Sequence, residues 1–295
     1  MCNTFGTAGL GGRILRGDVG RLSDQHRAVG EHYDGPARNY ELTRLDRESP
    51  VERAIMERYL TRFVPEKTVI ADIGVGGGHY DEFLARRGCC LHLADVSDGL
   101  LHATLDRLNG QGLSDQVLSA AVASATDLGH LADACSDAVL MLGPLYHLLT
   151  LAERQQAVRE ARRIVSPSGV FMAAACNRMI GLASAYWLDL ESSVEWRDAY
   201  LGFLDDGIVD PESAPTIGHA HFSTVAEFRA LFQDDFKELL FVGIESLTST
   251  RQELFLDLSI EVQEAWLDLV EAAGSRPEGI AMSEHLLFVG QPRQL

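Results

Sequence analysis

Val69-Ile70-Ala71-Asp72-Ile73-Gly74-Val75-Gly76-Gly77-Gly78-His79-Tyr80 decides how the rest of the chain is read. An apolar run rich in β-branched residues passes into a segment with four glycines, and a helical pattern follows from about His79 to Arg87. This is the pattern of a strand, a tight turn and a helix. Glycine has no Cβ, so the backbone turns sharply there and a ligand can lie directly against it. The N–H groups that open the following helix point at such a ligand. Two loop patterns compete. The dinucleotide fingerprint G-x-G-x-x-G needs glycine at position 79, where this chain has His79. The pattern D-x-G-x-G-x-G is met in full by Asp72, Gly74, Gly76 and Gly78.

Downstream, strand and helix patterns alternate. Cys90–Asp95 reads as a second strand and ends on an acid 21 residues after Gly74. An acid at that place accepts hydrogen bonds from ribose hydroxyls, with Val96 beside the base. A helix over Ser97–Leu108 follows, then strands over Val117–Ala123 and Ala138–Leu142. Leu151–Val165 reads as a helix that Ser166-Pro167-Ser168-Gly169 ends, and Val170–Ala175 as a fifth strand. Five strands alternating with helices imply a parallel sheet. Residues 177–222 break the alternation with Tyr186, Trp187, Trp196, Tyr200, Phe203 and Phe222. They read as an insertion above the sheet's carboxyl edge, with aromatics that line a pocket or form the insertion's own core. Thr224 and Glu227 fit a capping box. Leu239–Glu245, Gln252–Ala272 and Glu284–Gln291 complete the pattern as strand, helix and strand.

Upstream, residues 1–25 are Gly-rich and read as a mobile tail, and Pro50–Phe63 as an amphipathic helix. Residues 26–295 then form one domain.

The loop, Asp95 and the Gly143-Pro144-Leu145-Tyr146-His147-Leu148 run resemble class I S-adenosylmethionine (SAM) dependent methyltransferases, in the small-molecule, tellurite-resistance-like branch. The resemblance implies a Rossmann-like α/β fold. Its seven-stranded sheet has order 3-2-1-4-5-7-6, with the last strand antiparallel, helices on both faces and residues 177–222 as a substrate lid. It implies SAM as methyl donor and S-adenosylhomocysteine (SAH) as product. Asp72, Gly74, Gly76 and Gly78 would cradle the methionine end, and Asp95 and Val96 the adenosine. Leu142, at the end of the fourth strand, joins them. Family members often carry an acid where this chain has Ser124. The adenine contact therefore falls to Ser124, to Asp127 or to the backbone at Ala125 and Thr126. In relatives with a similar opening a tyrosine-bearing segment folds over the cofactor. Tyr33, Tyr40 and Arg44 are the candidates here, Arg44 as partner of the SAM carboxylate.

Methyl transfer is an in-line displacement, so positioning supplies much of the rate. A general base serves a protonated acceptor. His147 is the first candidate, Tyr146 a positioning group and His221 a second base. His219 and His221 lack an acid or cysteine at ligand spacing, so no metal is expected. Acids outnumber bases 43 to 25, and a net charge of −18 disfavours nucleic acid as a partner. The loop after the fourth strand lacks the Asn or Asp that amino-methylating nucleic-acid enzymes carry there. Arg178 and Arg197 are the insertion's only basic residues besides histidine, which disfavours a diphosphate acceptor. No apolar run reaches a membrane span and no signal peptide opens the chain, so a cytoplasmic place is expected, with no membrane partner. The five cysteines, with no C-x-x-C, read as reduced thiols. The expected reaction is O-, N- or C-methylation of an apolar or aromatic metabolite. An NAD(P)-dependent oxidoreductase and a SAM-binding regulator are the rival readings, and oligomeric state is open.

Overall fold

A computed structural model describes residues 14–15, 22–188, 190–209 and 217–294. Seven strands form the body of one sheet: β1 (Val69–Ile73), β2 (Cys90–Asp95), β3 (Val117–Val122), β4 (Ser136–Met141), β5 (Val165–Cys176), β6 (Phe236–Gly243) and β7 (His285–Pro292). Their order is 3-2-1-4-5-7-6. β1 to β5 run parallel, and β7 lies antiparallel between β5 and β6. The expected topology is observed. A two-residue strand, Ile14–Leu15, extends the β3 edge in parallel.

The pleat divides the core. Ile70 joins one hydrophobic layer with Ile55, Tyr59, Leu60 and Leu84. Its neighbour Ala71 joins the other with Val139, Ala157, Phe171 and Phe288. Alternate side chains point to opposite faces, and both faces are covered by helices. The helices are α1 (Asp24–Asp34), α2 (Arg38–Glu41), α3 (Arg44–Arg47), α4 (Pro50–Phe63), α5 (His79–Arg86), α6 (Asp98–Gly110) and α7 (Leu151–Ile164). After β5 come α8 (Arg178–Leu188), α9 (Ser192–Asp206), α10 (Val225–Ala230), α11 (Ile260–Gly274) and α12 (Pro277–Met282). Among the described residues no helix is long and apolar enough to cross a membrane.

Four expectations change. β5 starts at Val165, before the Ser-Pro-Ser-Gly segment, because the strand resumes its pairing with β4 after an excursion: Ser136 faces Val165, and Ala138 faces Val170. Pro167 and Ser168 are exposed at the bulge, where a proline without an N–H costs no ladder bond. β6 runs over 236–243, because Glu245 leaves the sheet and turns its carboxylate to His285. The single helix expected over 252–272 splits into a 3₁₀ segment, Gln252–Asp257, and α11. Gln252 is held by the backbone N–H of Glu52 at 2.9 Å, and Leu258 is extended. Of residues 1–25, only 14–15 and 22–25 are described; the rest of the expected tail lies outside the described residues, and α1, capped by Ser23, already begins at Asp24.

The insertion holds α8, α9 and a short hairpin of Ile208–Val209 with Ala220–His221. Arg178 fastens it. Its guanidinium donates to the carbonyls of Phe222 at 3.1 Å and Asp205 at 3.1 Å and pairs with Glu227 at 2.6 Å.

Candidate active site

The carboxyl ends of β1, β2, β3 and β4 converge on a cavity of about 690 Å³, open mouth included. Gly74, Gly76 and Gly78 all take left-handed φ angles, +85°, +53° and +71°. A Cβ on Gly76 would sit 2.9 Å from Glu41 Oε1, so a side chain would fill the space between loop and lead-in. Asp95 closes β2. Its Oδ1 accepts from the Ser97 N–H at 2.8 Å and its Oδ2 from the Gly76 N–H at 3.3 Å. Burial pushes this carboxyl up to about 6. Each oxygen keeps further lone pairs for outside donors. Val96, Leu100, Ala123, Ser124 and Ala125 continue the wall.

α1 roofs the cavity and is tied at both ends. Gln25 donates to the His147 carbonyl at 2.9 Å, and Asp34 Oδ1 accepts from the Gly99 N–H at 2.8 Å. Gly30 allows the approach: a Cβ there would meet the Val96 carbonyl oxygen at 2.6 Å. His26, Val29 and Tyr33 therefore face inward, with Glu41 of α2 over the glycine loop.

Opposite, Gly143, Pro144, Tyr146, His147 and Leu148 complete the cavity. His147 Nδ1 lies 2.9 Å from the His219 carbonyl oxygen, so Nδ1 carries the proton and donates. Nε2 is thereby an acceptor, and the Tyr33 hydroxyl donates to it at 3.0 Å. Burial lowers His147 to about 4, so the imidazole is neutral. The Tyr33 phenol is pushed above its ordinary value by burial first and then by Glu41.

Of the residues singled out from the sequence, Tyr33, Gly74, Gly76, Asp95, Val96, Ala125, Tyr146 and His147 meet at the cavity. Asp72 lies beneath the loop, 3% exposed, and Gly78 faces Thr104 of α6. Leu142 packs on the core and Thr126 turns to Ser124, so neither is on the cavity wall. Ser124 is on the wall and Asp127 is not. Arg44 is turned away: its guanidinium forks onto Glu52, with Ser49 and Glu41 beside it. His221 sits in the hairpin near Ser223, off the cavity, while His219 contributes its backbone. Tyr186 and Trp187 point to solvent, and Phe203 and Phe222 form the insertion's small core, which reaches Tyr146. Arg178 is spent on carbonyls and Glu227, and exposed Arg197 on Asp198. Cys89, Cys135 and Cys176 are free thiols. Cys90 is disulfide-bonded, against the expectation of reduced thiols.

Sequence reasoning missed His26, Val29 and Glu41. Nothing in their local pattern marks them; they reach the site because α1 and α2 fold back over it. It also missed a buried polar cluster in which His285 meets Glu245 at 2.6 Å and Glu52 at 3.7 Å. Glu52, Glu245 and His285 have metal-ligand chemistry, but Arg44 already neutralises Glu52 there.

Residues 71–173 match the sequence model of a family described as a methyltransferase domain. Those residues are therefore similar to a methyltransferase domain, and the fold around them is the one found in solved SAM-dependent methyltransferases. Three solved structures illustrate the likeness. NodS, an N-methyltransferase from Bradyrhizobium japonicum WM9 in complex with SAH, is 12% identical. The match covers 92% of this chain and 100% of NodS, with TM-score 0.55. A SAM-dependent methyltransferase from Methanosarcina mazei is 18% identical over 80% of this chain and 97% of its own, with TM-score 0.52. The CcbJ methyltransferase from Streptomyces caelestis is 13% identical over 92% and 99%, with TM-score 0.51. Such identities show the fold. The comparison with curated proteins found no match. The Methanosarcina mazei protein is described as SAM-dependent and NodS holds SAH, so SAM is the group to set against this site. The residues present fit it: a glycine cradle that a Cβ would fill, and a carboxylate with spare acceptor capacity where ribose hydroxyls need one. When bound, SAM supplies an electrophilic methyl group on a sulfonium.

Proposed function

We propose that this chain is an enzyme that transfers the SAM methyl group to a small-molecule acceptor, an apolar or aromatic metabolite methylated at O, N or C. The observation that carries the reading is the cavity at the carboxyl edge of the sheet. It is lined by Asp95 and the glycine loop as well as by Tyr33, Tyr146 and His147. Val29 and Leu148 add apolar wall. The −18 charge supports an acceptor without a phosphate backbone, and the engaged Arg178 supports one without a diphosphate.

In this reading Asp72, Gly74, Gly76, Gly78, Asp95, Val96 and the backbone at Ala125 hold the cofactor. Residues 177–222 act as the lid of a domain spanning residues 26–295. Tyr33 and Tyr146 orient the acceptor. His147 accepts a proton through Tyr33, whose hydroxyl already donates to Nε2, while the His219 carbonyl steadies Nδ1–H. Its low basicity suits an acceptor whose proton is lost as the new bond forms.

The test is calorimetric titration with SAH, with NAD as control, followed by a screen of small alcohols, phenols and amines for methyl acceptance. Micromolar SAH binding without NAD binding, then turnover of a small acceptor, supports the proposal. NAD binding tighter than SAH binding refutes it. SAH binding with no turnover of any acceptor favours a regulator.

A further inference from the structure

The sheet order limits where the base of a bound SAM can lie. An acid that ends the second strand serves ribose hydroxyls, and the glycine turn after the first strand faces one substituent of that ribose. Asp95 ends β2 and the glycine loop follows β1, so the order 3-2-1 leaves the end of β3 for the base. Ser124 and Ala125 wall the cavity at that end. Ser124 Oγ accepts from the Thr126 N–H at 3.2 Å and lies 2.9 Å from Thr126 Oγ1. Most of its hydrogen-bonding capacity is thus used within the turn.

His26 of α1 brings a second polar side chain to this end. It lines the cavity and is 7% exposed. Its Nε2 lies 3.5 Å from Oε1 of Glu153, in the first turn of α7. Two turns further along α7, on the same face, Glu160 accepts from the Leu128 N–H of the segment after β3 at 2.9 Å. That face of α7 therefore stands beside the β3 end, and His26 with it.

The His26 ring is unfinished. Nε2 is buried and has no hydrogen bond of normal geometry, although Glu153 stands just beyond that range. Buried polar atoms without partners need a cause. Glu153 is itself fixed: its Oε2 accepts from the Thr150 N–H at 3.1 Å and the Thr150 hydroxyl at 2.7 Å, which leaves Oε1 for His26. Burial lowers the basicity of His26 and Glu153 opposes that only in part, so the ring is neutral. The carboxylate draws the single ring proton to Nε2, and Nδ1 is then a bare acceptor.

We propose that His26, oriented by Glu153, reads the base of SAM or SAH, with Nδ1 accepting a hydrogen bond from the exocyclic amino group of adenine. This rests on the SAM reading of the site. His26 is a binding residue and Glu153 a positioning residue. A base with a carbonyl oxygen in place of the amino group sets acceptor against acceptor and is disfavoured.

The experiment is calorimetric titration with SAH and with S-inosylhomocysteine, which carries that carbonyl. Wild type should bind SAH at least about tenfold more tightly. His26→Phe keeps a flat ring and removes its nitrogens. It should weaken SAH by roughly 3- to 10-fold and leave S-inosylhomocysteine within about twofold. Glu153→Gln keeps the capping box, because the amide oxygen still serves Thr150, and turns an NH₂ group to Nε2. The ring proton then moves to Nδ1, which becomes a donor, so SAH should weaken and S-inosylhomocysteine should bind more tightly than to wild type. A merely structural role would weaken both ligands alike, and this variant decides the matter if His26→Phe does not fold. An unchanged ratio of the two affinities in the folded variants overturns the pair and leaves the cofactor assignment intact. A wild type that binds neither ligand overturns that assignment, and the pair with it.

Discussion

Asp95→Asn should act in opposite directions on ligand affinity and on the stability of the ligand-free protein. The buried carboxyl is held at about 6, against about 3.9 in an unfolded chain. A carboxyl raised on folding is protonated more readily in the fold, so it costs stability as pH rises from about 4 through about 6. Two pH units of difference correspond to about 3 kcal/mol once both states are ionised. The amide oxygen of Asn still accepts the Ser97 N–H that Asp95 Oδ1 now takes at 2.8 Å. The longer Gly76 contact, 3.3 Å, is lost. The variant should therefore melt no lower than wild type above about pH 7, and the difference in its favour should shrink as pH falls to about 4. Affinity should fall, because one charge-assisted hydrogen bond to a ribose hydroxyl disappears. That loss is about 1.5–3 kcal/mol, or roughly 10- to 150-fold in SAH dissociation constant. Calorimetric titration with SAH and thermal melts across pH measure both. Unchanged affinity would falsify the ribose assignment. A melting difference that does not vary with pH would refute the charge argument.

Gly76→Ala should weaken SAH binding more than a hundredfold while the fold survives, read by titration and circular dichroism. Its +53° φ costs about 1–2 kcal/mol for any residue with a Cβ, and the methyl meets Glu41 Oε1 at 2.9 Å. His147→Asn should lessen acid destabilisation. His147 sits at about 4 against about 6.5 unfolded, so its share of stability is present above about pH 6.5 and lost as pH falls toward 4. Wild type and variant melts that stay parallel across that range would remove burial as the cause. Arg178→Ala should lower stability by about 2–4 kcal/mol in urea unfolding, because the carbonyls of Phe222 and Asp205 lose their donor. SAH affinity should stay within a few-fold, since Arg178 is not on the cavity wall; a large drop in affinity would show that the insertion shapes the cofactor site.

The strands that surround Asp72-Ile73-Gly74 were legible because a strand buried on both faces is written as a short, nearly continuous apolar run, and Val69–Ile73, Cys90–Asp95 and Ser136–Met141 are all of that kind. The errors have a common source. The Ser-Pro-Ser-Gly segment reads as a stop when seen alone, yet β4 supplies partners on both sides of it and the strand passes through as a bulge. Residues 252–272 have helical spacing, but Gln252 is taken by the Glu52 backbone, some 200 positions earlier, and the helix begins afresh at Ile260.

The same division runs through the site. Gly74, Gly76 and Asp95, which line the cavity, could be named from spacing alone, because each occupies a backbone position whose geometry is dictated within a strand–turn–helix unit. Which histidine stands at the cavity could not be. His147 and His221 look alike in sequence, and only the folding of α1 and the 208–221 hairpin gives His147 a carbonyl on one nitrogen and Tyr33 on the other. Arg44 reads as a free cation until Glu52 is seen against it. Local periodicity and glycine chemistry determine the strands, the helices and the glycine loop, because those depend on neighbours in the chain; the sheet order came from the family resemblance. The charge, the partners and the protonation of each polar side chain were decided by tertiary structure, because they depend on what burial removes and on groups that meet only when distant segments pack.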